Sequence, residues 1–199
     1  MVLVTAAMAS ELQGFQASDA PSGLCVSPVG TGSSCSSTFQ SLLQRHHPEA
    51  VIHIGICGSV SAELPMGSAF LPGWTAREES PGQRIYFDDE LAAQYDRVLL
   101  QAVRGSRLCR GGGLLTCSNF VAQKRKEQIR SASRYAGVLG VDMECAVLAE
   151  LCRKAQIPFI TAKAVSDDLV QPGPKGLSRF IRRWSAIFAE ASYRYLGTM

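Results

Sequence analysis

The sequence predicts an α/β fold, in which helices cover a central sheet that is mostly parallel or mixed. Strand and helix signals alternate along the chain, as they do when helices connect the strands of one sheet. The clearest alternation lies at residues 138–168, where an apolar run, a helical repeat and a β-branched apolar run follow one another. Acidic residues lie where these elements begin or end, at Asp142, Glu144 and Asp167. Strand ends of a parallel sheet open into one crevice, where ligands bind.

The first half of the chain contains three clear strand signals. These are the apolar, β-branched runs Val2–Ala7, Leu24–Val29 and Val51–Ile56. The segment Gly30-Thr31-Gly32 is either a simple tight turn or a source of backbone N–H donors for an anion. A helix is predicted to follow it, from about residue 34 to 45.

The remaining elements are predicted from the same kinds of signal. The glycine and proline residues within 73–87 indicate a loop and a hairpin. Asp88 can cap the helix that follows. The predicted helices are 88–104, 123–133, 143–155 and 176–196, and the predicted strands are 114–117, 138–141 and 159–165. The last helix carries an apolar stripe that indicates core packing rather than a cofactor site.

Composition indicates one globular domain over residues 1–199. Hydrophobic residues make up 46% of the chain and charged residues 19%, which excludes a disordered protein. The net charge is only +3, and the basic residues are scattered apart from Lys124-Arg125-Lys126 and Arg182-Arg183. Both clusters lie in predicted helices, so we expect solvated helix faces and no nucleic-acid partner.

Cysteine and histidine usage argues against disulfides and metal. The seven cysteines form no CxxC pair and the three histidines lack metal-ligand spacing, so we expect reduced thiols and no zinc. No apolar run approaches the roughly 20 residues of a membrane span, and AAMAS lacks a preceding basic region of the kind found in signal peptides. We therefore expect a cytoplasmic protein with no membrane partner.

The residues alone do not decide between structural and catalytic roles for the candidate site residues. Asp142 could be only a helix N-cap and Glu144 a first-turn residue matched to the helix dipole. Glu11, just beyond the first strand, could be a surface charge or a catalytic group. Phe120 by itself reads as a core residue, and Cys145 as a packing residue rather than a nucleophile.

Two paired motifs carry a resemblance to a known family. VDMECAVLAELC, from residue 141, followed by FITAKAVSD, from residue 159, resembles the signature of the purine nucleoside phosphorylase and nucleosidase superfamily. The segment Ala7-Met8-Ala9-Ser10-Glu11 is similar to its hydrolase branch, the methylthioadenosine/S-adenosylhomocysteine nucleosidases and futalosine hydrolases. The likeness runs to about residue 190. It implies a three-layer α-β-α sandwich with a central mixed sheet.

The resemblance implies the catalytic roles. Glu11 would activate the attacking water, and Asp167 would give a proton to N7 of the purine as general acid. That second role requires a raised pKa or a shared proton at neutral pH. Ser166 would orient Asp167.

It also implies how a nucleoside is held. Glu144 would accept hydrogen bonds from the ribose hydroxyls, Met143 would pack against the sugar, and Gly58 belongs to the glycine-rich segment under the ribose. Phe120 would stack on the base, and the backbone of Val121 would read the base edge. No organic cofactor or metal is implied, and the relatives form homodimers.

Two departures leave the substrate open. The segment Gly55-Ile56-Cys57-Gly58-Ser59 is nearer the futalosine hydrolase type than the methylthioadenosine nucleosidase type, and Ser68 stands where the family usually has Asp. We expect hydrolysis of an adenosine-type, 5′-modified purine nucleoside. The alternatives are a futalosine-type hydrolase, a phosphate-dependent phosphorylase and a non-catalytic nucleoside-binding protein. Water is favoured over phosphate because the arginines of the phosphorylase pattern are absent near Glu11, although Arg77 or Arg84 could replace them.

Overall fold

A mixed β-sheet forms the centre of the protein in the computed structural model. The structure describes residues 1–15, 21–171 and 173–198, and of residue 33 the backbone only. In these residues ten strands join one sheet. They are β1 Val2–Ala6, β2 Leu24–Pro28, β3 Ala50–Ser59, β4 Ala69–Leu71, β5 Trp74–Arg77, β6 Ile85–Tyr86, β7 Leu108–Arg110, β8 Gly113–Thr116, β9 Val138–Asp142 and β10 Phe159–Asp167.

The long strand β3 organises the sheet. Its first half pairs in parallel with β1, and nearly its whole length pairs in parallel with β10. Its carboxyl end pairs antiparallel with β9, where Gly58 faces Val141. From β1 the sheet continues to β2, and from β10 it continues to β4 and β7. From β9 it continues through β8 and β5 to β6. The ends of β1, β3, β9 and β10 therefore meet in one region.

Helices cover the two faces of the sheet. They are α1 Cys35–His46, α2 Asp89–Ala102, α3 Gln123–Ser131, α4 Cys145–Lys154 and α5 Leu177–Leu196. Helix α1 packs on α4, which contacts β5, β8 and β10, whereas α2 packs on α5, which contacts β3 and β10. This arrangement confirms the predicted three-layer α-β-α sandwich with a mixed sheet. None of the helices in the described residues combines the length and apolar character needed to cross a bilayer.

Most predicted elements are present with shifted ends. Asp88 caps α2 as expected, with its Oδ1 accepting a hydrogen bond from the Leu91 amide at 2.8 Å. Helix α4 begins at Cys145 rather than Met143. The prediction for residues 73–87 was wrong in part, because β5 and β6 form the hairpin but β5 is also a buried strand parallel to β8. Strand β7 was missed.

Candidate functional site

A pocket opens where the ends of β1, β3, β9 and β10 meet. It contains about 680 Å³ of free space including its mouth, a size suited to a small organic ligand. All eight residues singled out from the sequence line it: Glu11, Gly58, Phe120, Val121, Met143, Glu144, Ser166 and Asp167. Lys126, Asp142 and Lys163 line it as well.

Glu11 lies in a short 3₁₀ helix, Ala9–Leu12, directly after β1. Its Oε2 accepts from the Met8 amide at 2.8 Å and its Oε1 from the Ile56 amide at 3.0 Å. A Cβ at Gly55 would come within 2.8 Å of Oε1, and Gly55 has φ +152°, so a glycine makes room for this carboxylate. Burial raises the pKa of Glu11 above its ordinary value, against the opposing charge of Lys163. The result is a fixed carboxylate that binds a proton more readily than an exposed one.

Lys163 forms the centre of the charges at this end of the pocket. It lies within β10 and is buried, and its Nζ is 3.1 Å from Asp142 Oδ2. Burial alone would lower the pKa of Lys163, but the carboxylates of Asp142 and Glu144 outweigh burial and raise it. Asp142 also accepts from Thr116 Oγ1 at 2.7 Å and from the Cys145 amide at 3.1 Å. Asp142 is therefore not the N-cap of α4, a position that Glu144 occupies, but it accepts from the first amide of that helix and pairs with a buried ammonium as well.

Glu144 joins this group from the start of α4. Its Oε1 accepts from the Gly32 amide at 2.9 Å, so the Gly30-Thr31-Gly32 turn donates a hydrogen bond to the protein's own carboxylate. Burial raises the pKa of Glu144, and the neighbouring Asp142 raises it further. We call Glu11, Asp142, Glu144 and Lys163 the Lys163 cluster.

A histidine and two of these carboxylates have the spacing of metal ligands. One ligand atom each of His53, Asp142 and Glu144 lies within 4.8 Å of the others. However, the ammonium of Lys163 contacts Asp142 and already supplies positive charge there. His53 Nδ1 lies 3.1 Å from Thr5 Oγ1, and burial and then Lys163 hold the pKa of His53 well below its ordinary value. The arrangement is a neutral histidine beside an internal ion pair, not a vacant metal site.

The other end of the pocket contains Asp167, at the end of β10. Ser166 Oγ donates to Asp167 Oδ1 at 2.7 Å, and Lys126 Nζ contacts Asp167 Oδ2. A register shift in β10 between Val165 and Asp167 accompanies the burial of both Ser166 and Asp167. A Cβ at Gly58 would come within 3.2 Å of Asp167 Oδ2, so this glycine makes room for the pair.

Lys126 corrects a prediction from the sequence. The Lys124-Arg125-Lys126 cluster was expected on a solvated helix face, and Lys124 is exposed. Lys126, by contrast, is 1% exposed and points into the pocket region toward Asp167. A buried ammonium is stable only with a partner, and Asp167 is that partner.

Phe120 and Val121 lie in the loop before α3. Phe120 is 72% exposed while it lines the pocket, so it is not a core residue. Val121 is buried. Met143 is half-buried. Its methyl group lies close to Gly32, where an added Cβ would be 3.8 Å from it. The pocket therefore has the aromatic ring of Phe120 at its mouth and charged side chains in its interior. Such a pocket suits a ligand with one flat face and several polar atoms.

Two lysines of the site were missed from the sequence. For Lys163 a signal was available, since it interrupts the otherwise apolar run FITAKAV, and a lysine within a buried strand needs a partner. For Lys126 no clear local signal was available, because α3 is polar apart from Ile129 and the partner Asp167 lies 41 positions away.

Comparisons with known proteins place the chain in a family. The model of the phosphorylase superfamily matches residues 16–198. A 5′-methylthioadenosine/S-adenosylhomocysteine nucleosidase of Chromohalobacter salexigens is 24% identical over 174 residues, 79% of this chain and 73% of that protein. One from Haemophilus influenzae is 24% identical over 63% of this chain, which spans only 59% of its length.

Solved structures share the fold. The 5′-methylthioadenosine/S-adenosylhomocysteine nucleosidase of Campylobacter jejuni superposes with a TM-score of 0.85 at 17% identity, over 100% of this chain and 99% of that one. A futalosine hydrolase mutant of Helicobacter pylori superposes with a TM-score of 0.78 at 18% identity, over 100% and 99%.

Proposed function

The chain belongs to the phosphorylase superfamily, and we propose that it hydrolyses the N-glycosidic bond of a 5′-modified, adenosine-type purine nucleoside. The named relatives that act on such nucleosides support this substrate class. One observation carries the proposal: a buried carboxylate of raised pKa, Glu11, and a second carboxylate, Asp167, line one pocket. Cleavage of this bond needs a base for water on one side and a proton for the departing purine on the other.

Glu11 is the proposed general base. Its two backbone hydrogen bonds fix the carboxylate, so little reorganisation is needed when a water loses its proton to it. The raised pKa brings Glu11 closer to neutral pH, where a base is most effective. As water attacks C1′, its proton moves to Glu11 and the bond to the purine nitrogen breaks.

Glu144 and Met143 are proposed to hold the sugar. Glu144 is itself held by the Gly32 amide, so its position is set before substrate binds. The ribose hydroxyls donate to this carboxylate, and Met143, which lies beside it, packs against the ring. Gly58 allows the backbone of β3 to approach the ligand closely.

Asp167 is proposed to protonate N7 of the departing purine. Ser166 fixes one oxygen, and Lys126 contacts the other. Phe120, at the mouth, stacks on the base, and Val121 provides backbone groups to its edge.

Water is supported as the nucleophile over phosphate. A phosphate dianion needs cationic donors that have no other partner. The two lysines that line the pocket, Lys126 and Lys163, each contact a carboxylate. The arginines that could have replaced the phosphorylase pattern are also engaged: Arg77 pairs with Glu150 at 2.9 Å, and Arg84 donates to the Ala136 carbonyl at 2.8 Å.

The test is to follow base release and the sugar product with and without phosphate. Free sugar formed at a rate that does not depend on phosphate supports hydrolysis. Formation of a sugar 1-phosphate, at a rate that rises with phosphate concentration, would overturn it. Binding of nucleosides without release of base would instead favour the non-catalytic alternative.

A futalosine-type substrate is the second candidate. The observation in its favour is the sequence Gly55-Ile56-Cys57-Gly58-Ser59 beneath the proposed sugar site. The two candidates act on different nucleosides, so turnover of methylthioadenosine, S-adenosylhomocysteine and futalosine by the same preparation separates them.

We further propose a cytoplasmic homodimer. All seven cysteines are free thiols, which suits a reducing compartment. Phe120 and Met8 line the pocket and are exposed, so a second copy of the chain would cover apolar surface at the mouth. The molar mass in solution, measured by light scattering, tests the dimer, and a mass near 21.4 kDa would contradict it.

A further inference from the structure

His53 has a buried ring nitrogen whose hydrogen-bonding capacity is unused by the protein. The residue lies within β3, four positions before the pocket-lining Cys57, and its side chain is fully buried. Its Nδ1 lies 3.1 Å from Thr5 Oγ1. Its Nε2 has no hydrogen-bond partner among the residues that the structure describes. Buried polar groups nearly always have a partner, either a protein group or an ordered water, so this nitrogen requires an explanation.

Two carboxylates of the Lys163 cluster lie next to this histidine. One ring nitrogen of His53 and one oxygen each of Asp142 and Glu144 lie within 4.8 Å of one another. Because Nδ1 contacts Thr5, Nε2 is the nitrogen left to face these oxygens. No direct hydrogen bond joins Nε2 to either carboxylate. A separation of this size is what one water molecule bridges with two hydrogen bonds of about 2.8 Å each.

The hydrogen-bonding capacities of these groups match a single water molecule. A water between the carboxylates of Asp142 and Glu144 donates both its protons to them and then needs a donor of its own. A neutral imidazole has one N–H, and when the Thr5 hydroxyl donates to Nδ1, that N–H is at Nε2. Burial, and then the charge of Lys163, hold the pKa of His53 well below its ordinary value, so the ring is neutral. His53 thus supplies the donor that the water lacks.

Both carboxylates have room for this contact. Asp142 accepts from Thr116 Oγ1 and the Cys145 amide and contacts Lys163, which leaves part of the capacity of its two oxygens. Glu144 accepts only from the Gly32 amide, at 2.9 Å, within the described part of the chain. A carboxylate held at one point can still rotate about that contact. A second hydrogen bond from the interior fixes its plane.

We propose that His53 is a positioning residue, whose Nε2–H holds a buried water that donates to Asp142 and Glu144 and fixes Glu144 for the ribose hydroxyls. The positioning role rests on the proposed function, in which Glu144 binds the sugar, whereas the water itself does not depend on it. His53 touches no substrate in this arrangement. The reaction at C1′ is unchanged, and the buried water is distinct from the attacking one beside Glu11.

A crystal structure of the wild-type protein without ligand tests the water directly. We expect a water within about 3.2 Å of His53 Nε2, of Asp142 and of Glu144. The proposal would be overturned by a metal ion at this position, by a direct contact of Nε2 with a protein group, or by the absence of any water that links Nε2 to Glu144. This measurement requires no activity and no variant.

Two substitutions that keep different nitrogens test the positioning role. The amide nitrogen of asparagine lies where Nδ1 does, and that of glutamine lies near Nε2, so only His53→Gln keeps a donor for the water. The substrates are 5′-methylthioadenosine and its 2′-deoxy analogue, which lacks one hydroxyl that Glu144 is proposed to bind. The ratio of kcat/KM for the first over the second should fall roughly tenfold in His53→Asn, as expected for a lost hydrogen bond to a charged group. His53→Gln should keep the wild-type ratio.

Thr161→Val is the matched control. The Thr161 hydroxyl lies in the neighbouring buried strand and donates to the His53 carbonyl at 2.8 Å. Its removal disturbs the same part of the sheet but leaves Nε2 unchanged, so the substrate ratio should stay at the wild-type value even where stability falls. An equal loss of both activities in His53→Asn, or a change in His53→Gln as large as in His53→Asn, would reduce His53 to a packing residue.

If the wild type cleaves neither nucleoside, the proposed function fails, and crystal structures of the two variants decide the positioning role separately. Glu144 should then leave the Gly32 amide in His53→Asn and remain hydrogen-bonded to it in His53→Gln. An unmoved Glu144 in His53→Asn would refute the role of His53.

Discussion

The two ends of the pocket hold the same kinds of side chain in different proportions. The Lys163 cluster places three carboxylates, Glu11, Asp142 and Glu144, around the one ammonium of Lys163. At the other end, Asp167 alone faces Lys126. The first end has an excess of negative charge in a buried setting, and the second is balanced.

This difference teaches how one pocket can prepare a base and an acid together. Burial raises the pKa of Glu11 and that of Glu144, and the nearby Asp142 adds to both, so these groups bind a proton more readily than exposed carboxyl groups do. Asp167, by contrast, lies beside a single ammonium that contacts it directly. The surroundings of each carboxylate, rather than its residue type, thus separate the two proposed roles.

Removing Lys163 should have the largest effect. In Lys163→Met the buried carboxylate of Asp142 loses its ion-pair partner, and loss of one member of a buried pair costs about 3–5 kcal/mol of unfolding free energy. Urea unfolding monitored by circular dichroism measures this. The control is Lys154→Met, whose exposed (i,i+4) pair with Glu150 should change stability by less than about 0.5 kcal/mol. Equal effects of the two variants would mean that Lys163 does not hold the cluster together.

Glu11→Gln should abolish most turnover while sparing binding. The amide cannot accept a proton from water, so kcat for base release should fall by about 10³-fold. Substrate affinity measured by calorimetry should change little, because Glu144 and Phe120 remain. Glu127→Gln, an exposed residue of α3, serves as the control. Lost binding together with normal turnover of bound substrate would make Glu11 a binding residue.

Asp167→Asn should have a smaller effect, because Lys126 and its proton stay near N7. We expect kcat to fall by about 10²-fold. The base should still bind, since stacking by Phe120 is unaffected. Turnover close to that of the wild type would show that Asp167 is not the acid.

The smallest expected effect is the contribution of Glu11 to the pH dependence of the unfolding free energy. The folded protein raises the pKa of Glu11 above its ordinary 4.5, so the folded state holds this proton more tightly than the unfolded chain does. The stability associated with that proton is present below pH 4.5 and is lost as the pH rises through the raised pKa. Glu11→Gln has no such dependence.

The stability of Glu11→Gln relative to the wild type should therefore increase from pH 4.5 upward and then level off. Each unit of difference in pKa corresponds to about 1.4 kcal/mol. Urea unfolding of both proteins at a series of pH values measures the difference. A constant difference, or one that decreases with pH, would contradict the raised pKa.

The sequence predicted the fold well wherever periodicity was strong. Strand β1 was recognisable as a continuous apolar, β-branched run, and helix α5 by the helical spacing of its apolar residues. Strand β5 was missed because its four residues, Trp74–Arg77, lie between Gly73 and a polar loop, and only the distant partner β8 makes them a strand. Pairing across the chain is not visible in a local pattern.

The candidate site, like the fold, could be predicted only in part. The carboxylates Glu11, Glu144 and Asp167 could be selected because the motifs that contain them resemble those of the nucleosidases, whereas their positions alone left their roles open. Their cationic partners could not be assigned. Burial of Lys126 depends on Gly58 and Asp167, which contact it only after the chain has folded.

Strand β10 contains both Lys163 and Asp167, so one stretch of backbone passes from the Lys163 cluster to the proposed acid. Every residue of this strand is buried, and β3 and β4 flank it on either side. The distance between the Lys163 and Asp167 ends of the pocket is thus set by a rigid strand. Phe120 and Val121, which line the same pocket, lie in a loop. Loops accept substitutions and insertions more readily than buried strands. The range of accepted nucleosides can therefore change over evolution through the loop, with the reaction itself preserved.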